Sequence, residues 1–263
     1  MKILKSIYEN EVEVKEISVL KSLFIIIMFT LIPGIINFLS TFIMILIDEN
    51  ISIGSVMIIA GIILIPVHMI IIIMVGKKYT QKDIIKINDK KVKINNKDFL
   101  YVFLIIIGYI LIREAILFDV LSQFEGPISE DDIDFFIDNA ETIEVVIFGF
   151  LMYFQTLITA PIFEELLFRA IIYSAMVFGL VHLNIPQGIN AFIGGIILGF
   201  IYCYTKSMKL SIFAHFINNL IIFVPVPESL IFKFIYIVIG TYVIMKGIKY
   251  IRNTKLINIS KAS

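Results

Sequence analysis

Glu164, Glu165 and Arg169 are the only formally charged residues between Val145 and Thr205, in a stretch otherwise built mainly of apolar side chains. Each costs roughly 2.5–3.5 kcal/mol to insert near a bilayer centre, so each needs a partner or a use. On a helix Glu165 and Arg169 lie four residues apart on one face, acid before base, which is the better order for an ion pair. Glu164 points about 100° away from Glu165 and is the carboxylate left over. Downstream, His182 follows Phe178 by four and His215 precedes Asn219 by four, so a ring and an imidazole, then an imidazole and an amide, share helical faces. The remaining histidine, His68, has no acid or amide at helical spacing and reads as a core or helix-contact residue.

A carboxylate, two imidazoles and an amide, with no Ser or Cys nucleophile placed beside a base, point to activated water attacking a carbonyl. Two versions fit the residues. In one, Glu164, His182 and His215 hold Zn²⁺ with an open position for a water whose pKa the metal lowers towards about 7. In the other no metal is needed: Glu164 and His182 act as general base while His215 and Asn219 donate to the oxyanion. The ligands come one per helix with no H-E-x-x-H pairing, so spacing alone does not choose between them.

The elements that must position these groups are membrane helices. The chain has 263 residues, 59% of them hydrophobic, with mean hydropathy +0.96, no Trp and the single cysteine Cys203. That composition excludes an ordinary soluble domain and, with zero formal net charge, gives no footprint for nucleic acid. A lone cysteine makes no intrachain disulfide. At about 20 apolar residues per crossing the sequence predicts eight spans, near 22–47, 52–76, 99–118, 143–168, 170–184, 189–205, 210–225 and 229–248. Pro33, Pro66 and Pro161 fall inside spans and are expected to kink them. Arg113 and Glu114, adjacent near one end of the third span, diverge around the helix and are expected to snorkel separately to the interface.

Charge orients the spans. The lysine-rich loop from Lys77 to Lys97, the Lys206 and Lys209 pair, and the tail bearing Lys249, Arg252, Lys255 and Lys261 belong on the cytosolic side, and the acidic stretch from Asp119 to Thr142 on the other. Both termini are then cytosolic in a multi-pass protein of the cell membrane. The lysines also meet anionic lipid, and the acidic stretch reads as a solvated linker. The frequent Ile, Lys and Asn point to an AT-rich bacterial genome.

Taken together and in order, "EELLFR" (Glu164 to Arg169), "FGLVH" (Phe178 to His182) and "HFINN" (His215 to Asn219) resemble the E-E-x-x-x-R, F-x-x-x-H and H-x-x-x-N/D pattern of the CAAX protease and bacteriocin-processing (CPBP, or abortive-infection) family of intramembrane endopeptidases. A proline precedes the first motif, as in the family, and Ala170 stands where members commonly carry Gly. The resemblance covers about residues 143–225 and implies an all-α intramembrane protease, which with the run lengths above makes a polytopic bundle of about eight spans. It implies an active site of Glu164, His182, His215 and Asn219, with Glu165, Arg169 and Phe178 in support and Zn²⁺ or a bare activated water as the working agent. It divides the chain into a head with three helices (1–142), a catalytic four-helix core (143–225), and a last helix with a basic tail (226–263). Expected substrates are membrane-embedded or lipid-associated peptides, in pheromone or bacteriocin processing or in self-immunity. A non-catalytic immunity or scaffold protein is the rival from another class, and a small proton-coupled transporter a second. Oligomeric state is not legible.

Overall fold

The computed structural model describes residues 18–79, 94–124, 141–168, 185–221 and 229–260, with Lys5, Tyr8 and Pro227. Among these residues every regular element is helical and no strand occurs. The elements are α1 (Val19–Ile47), α2 (Ile53–Tyr79), α3 (Asn96–Ile116), the short α4 (Phe118–Leu121), α5 (Thr142–Phe154), α6 (Ala160–Leu167), α7 (Ile185–Thr205), α8 (Met208–Leu220) and α9 (Leu230–Ser260). A π-helical turn, Gln155–Thr159, joins α5 to α6 without a break. Six helical stretches among the described residues are long and apolar enough to cross a membrane: Leu20–Ile47, Ile53–Lys78, Asn96–Ile116, Thr142–Leu167, Ile185–Thr205 and Leu230–Thr254. The protein is an all-α, multi-pass membrane bundle. The span expected at 170–184 lies outside the described residues, and the one expected at 210–225 overlaps α8, whose 13 residues reach only about 20 Å at 1.5 Å per residue. α1 and α2 continue through Pro33 and Pro66.

Local chemistry sets the helix starts. Asn95 opens α3 with a capping box: its side chain accepts from Asp98 N at 3.0 Å and Asp98 Oδ2 accepts from Asn95 N at 2.9 Å. Between α7 and α8 the chain turns through Lys206 at φ 48°, and Ser207 caps α8 by accepting from Leu210 N at 3.2 Å. In the turn between α1 and α2, Asp48 Oδ1 accepts from Asn50 N at 3.0 Å.

Two apolar clusters meet at α8. One joins Ile25, Ile26 and Phe29 of α1 to Ile71 and Ile72 of α2, to Leu166, Leu167 and Phe168 around the end of α6, and to Met208. The other joins Val102, Ile105, Ile106 and Ile110 of α3 to Leu198 and Ile201 of α7, to Leu210, Ala214 and Ile217 of α8, and to Ile251 of α9. α3 and α9 pack along one another. At their contact a Cβ on Gly108 would stand 2.6 Å from Gly240 O, and one on Gly240 would stand 2.7 Å from Gly108 O. Small residues at this crossing let two backbones touch, the usual means of association where lipid is as apolar as leucine.

The distribution of polarity is that of a membrane protein. Phe24, Leu31, Phe38 and Leu46 of α1, Val146 and Phe150 of α5, and Phe234, Tyr242 and Met245 of α9 face outward, whereas Asp98, Glu114, Glu165, Ser211 and His215 are buried. Arg113 and Glu114 do not diverge as expected. Arg113 Nη2 lies 2.5 Å from Glu114 Oε1, its Nε donates to the same oxygen at 2.7 Å, and both side chains are largely buried. Rotation of the long arginine around the helix surface overcomes the 100° offset that separates the two Cβ atoms.

Candidate active site

α8 carries the site as a ladder. Ser211, His215 and Asn219 recur every fourth residue and so share one face, which packs against α6 and the π turn. On α6 the Glu165 side chain is fully buried. One of its oxygens, Oε2, accepts from Ser211 Oγ, and the other, Oε1, lies 3.1 Å from His215 Nδ1. An ionised carboxylate can only accept, so the hydrogen belongs on Nδ1. That leaves Nε2 turned towards Glu164, whose Oε2 is 3.7 Å away. Two adjacent acids on one helix thus address the two nitrogens of a single imidazole from a neighbouring helix.

The preceding turn positions the amide. In the π register a backbone N–H reaches the carbonyl five residues back, as Ala160 N does with Gln155 O. The next donor in that register would be residue 161, and Pro161 has no N–H. The Thr156 carbonyl is therefore available, and it accepts from Asn219 Nδ2 at 2.9 Å. Asn218 Nδ2 donates to Asn219 Oδ1 at 3.2 Å, which fixes which end of that amide carries the hydrogens. Gln155 Nε2 reaches across to Gly61 O of α2 at 2.8 Å, holding the turn against the second helix.

Beside Glu164 lies a cavity of about 250 Å³ walled by α1, α2, α6 and the π turn. His68 lines it together with Glu164 and Thr156. Its ring meets Phe29 edge-on at 4.8 Å and stacks at 6.4 Å on Phe163.

Of the residues singled out in the sequence, the structure brings together Glu164, Glu165, His215 and Asn219. Arg169, Phe178 and His182 lie outside the described residues, and the expected Glu165–Arg169 pair with them. Sequence reasoning missed Ser211 and Thr156. A hydroxyl four residues before His215 was a visible signal for the first; nothing in the sequence marks a main-chain acceptor such as the second.

The donor set can be compared with what Zn²⁺ requires. Nitrogen and oxygen ligands at about 2.0–2.2 Å in tetrahedral array stand roughly 3.3–3.5 Å apart, close to the 3.7 Å between His215 Nε2 and Glu164 Oε2. Metal-bound histidines commonly place their other nitrogen on a carboxylate, as His215 does. These two donors fit a metal. Among the described residues no group of three His, Cys, Asp or Glu side chains is arranged to complete one.

Residues 146–221 match a family model described as type II CAAX prenyl endopeptidase Rce1-like. This is a CPBP-family segment. No curated protein and no solved structure matches the chain. The CPBP segment runs from α5 to the end of α8 and contains the Glu164, Glu165, His215 and Asn219 constellation, while α1 to α3 and α9 fall outside it. CPBP proteins of this type are proteases, and the match points to a CAAX-protease-type intramembrane peptidase.

Proposed function

We propose that the protein is an intramembrane endopeptidase that hydrolyses a peptide bond in a membrane-associated peptide by activated water, near the cytosolic face of a cell membrane in which both termini are cytosolic. The observation that carries the reading is the fully buried Glu165 fixing Nδ1 of His215 so that Nε2 faces Glu164. Glu164 takes a proton from water as the oxygen adds to the scissile carbonyl carbon. The carbon–nitrogen bond then breaks, and the same proton passes to the leaving amine. One Asn219 amide hydrogen is held by Thr156 O, and the other remains to meet the developing oxyanion.

A Zn²⁺ held by Glu164, His182 and His215 would polarise the carbonyl and acidify the water. His215 Nε2 must then be bare, whereas the metal-free route needs a hydrogen there as well as on Nδ1, which makes the ring a cation beside Glu165. Metal analysis of the purified protein with a chelator test separates the routes: loss of activity restored by Zn²⁺ supports the first, and unaffected cleavage by metal-free protein supports the second.

The biological setting proposed is pheromone or bacteriocin processing, or self-immunity. In detergent or liposomes, Glu164→Ala, His182→Ala and His215→Ala should each lower cleavage of lipid-anchored precursor peptides by about 10²–10⁴-fold with the fold retained. Unimpaired cleavage by Glu164→Ala overturns the reading, and an immunity phenotype that survives the same substitution favours a non-catalytic scaffold.

A further inference from the structure

His68 and the cavity it shares with Glu164 are not used by the water-activating machinery. His68 Nδ1 lies 2.8 Å from the Leu64 carbonyl, an acceptor, so Nδ1 donates and Nε2 of the neutral ring carries a lone pair. Nε2 makes no hydrogen bond among the described residues. The Thr159 hydroxyl donates to Gln155 O and the Gln155 amide to Gly61 O, so these wall groups already have acceptors. Phe29, Leu64, Ile65 and Phe163 supply the apolar wall. An apolar cavity of about 150 Å³ admits benzene, so about 250 Å³ admits one large apolar side chain. Glu164 and Thr156, which holds Asn219, line the same cavity. A side chain seated in it therefore brings its own backbone to the reacting groups.

Resting on the peptidase reading, we infer that this cavity is the substrate's side-chain subsite. It selects a Phe- or Leu-sized residue next to the scissile bond, and His68 Nε2 accepts the backbone N–H of that residue. His68, from a helix outside the CPBP segment, is then a specificity and positioning residue. The chain has no Trp, so Phe163→Trp puts its only tryptophan in the cavity wall, excited selectively over the tyrosines at the red edge of the absorption band, and Glu164→Gln stops turnover. The full chain with both substitutions, in detergent, is titrated with dinitrophenyl-labelled Gly/Ser decapeptides carrying Phe, Leu, Ala or Asp at one central position. The Phe and Leu peptides should quench with Kd at least about 10-fold below the Ala and Asp peptides. Adding Ile65→Phe should fill the cavity and erase that preference. Adding His68→Ala should weaken all four peptides by about 10-fold, and His68→Gln, which keeps an acceptor, should restore part of the loss. Equal binding of all four peptides, or a preference that survives Ile65→Phe, overturns the inference. If the Phe peptide binds with the expected preference and the wild-type chain cleaves neither it nor the lipid-anchored precursors, the cavity stands as a side-chain-binding pocket and the peptidase reading falls.

Discussion

Glu165 is fully buried and serves two groups on α8 at once, Ser211 and His215. Its role follows from that geometry: it sets the tautomer and the aim of the imidazole that faces Glu164. Glu165→Gln keeps the shape but loses acceptor capacity on one side, so it should lower kcat by about 10–100-fold, the range seen when the partner of a working histidine is removed, with KM little changed. Ser211→Ala removes one donor to the same carboxylate and should lower thermal stability by about 1–3 kcal/mol, the cost of an under-satisfied buried group. Steady-state kinetics beside thermal denaturation in detergent checks both, and a Glu165→Gln enzyme with full kcat refutes the orienting role. The expected pairing of Glu165 with Arg169 rests on i to i+4 spacing within one helix and lies outside the described residues. Its bond to His215 spans 50 positions, and no spacing rule reaches that far.

At the scale of elements, the π turn and Pro161 act together. Pro161→Ala restores an N–H that can take the Thr156 carbonyl in competition with Asn219. The expected outcome is a several-fold fall in kcat with the helix content unchanged by circular dichroism. A turnover equal to wild type would show that Asn219 needs no such anchor. At the α3–α9 crossing, Gly240→Ala drives a methyl against the Gly108 carbonyl, and overpacking of this kind costs typically 1–3 kcal/mol. The melting temperature should drop while cleavage at low temperature is kept, since the crossing lies apart from the site; an unchanged melting temperature would mean that the two helices separate at no cost. The sequence shows each glycine but not which one meets another backbone.

For the whole molecule, polarity is turned inward and apolar surface outward. The ends of the helices carry the orientation. Lys233 at the start of α9 pairs with Asp119 after α3, and Ser52, just before α2, and Ser55 of α2 both donate to Glu144 of α5. These contacts lie at the ends of the spans that the charge pattern assigns to the outer side. In a Cys203→Ser background, Asn50→Cys should react with a membrane-impermeant maleimide in intact cells, and Lys206→Cys only after lysis. Labels in the opposite pattern overturn the cytosolic placement of the termini. Both positions are exposed turn residues, so their reactivity reports on side and not on burial.

Composition and run length alone establish an all-α membrane bundle, because a bilayer demands some 20 apolar residues per crossing and satisfied backbone bonds throughout. Charge in such runs is costly enough that Glu164, Glu165, His215 and Asn219 stand out unaided. What only the tertiary structure decides is the partnership between helices: Glu165 with Ser211 and His215, Asn219 with Thr156, and His68 of α2 on the cavity of Glu164. The reason is that lipid and protein core are equally apolar. A helix in this chain can be hydrophobic all round, and its sequence then carries no mark of which face meets a neighbour and which meets the bilayer.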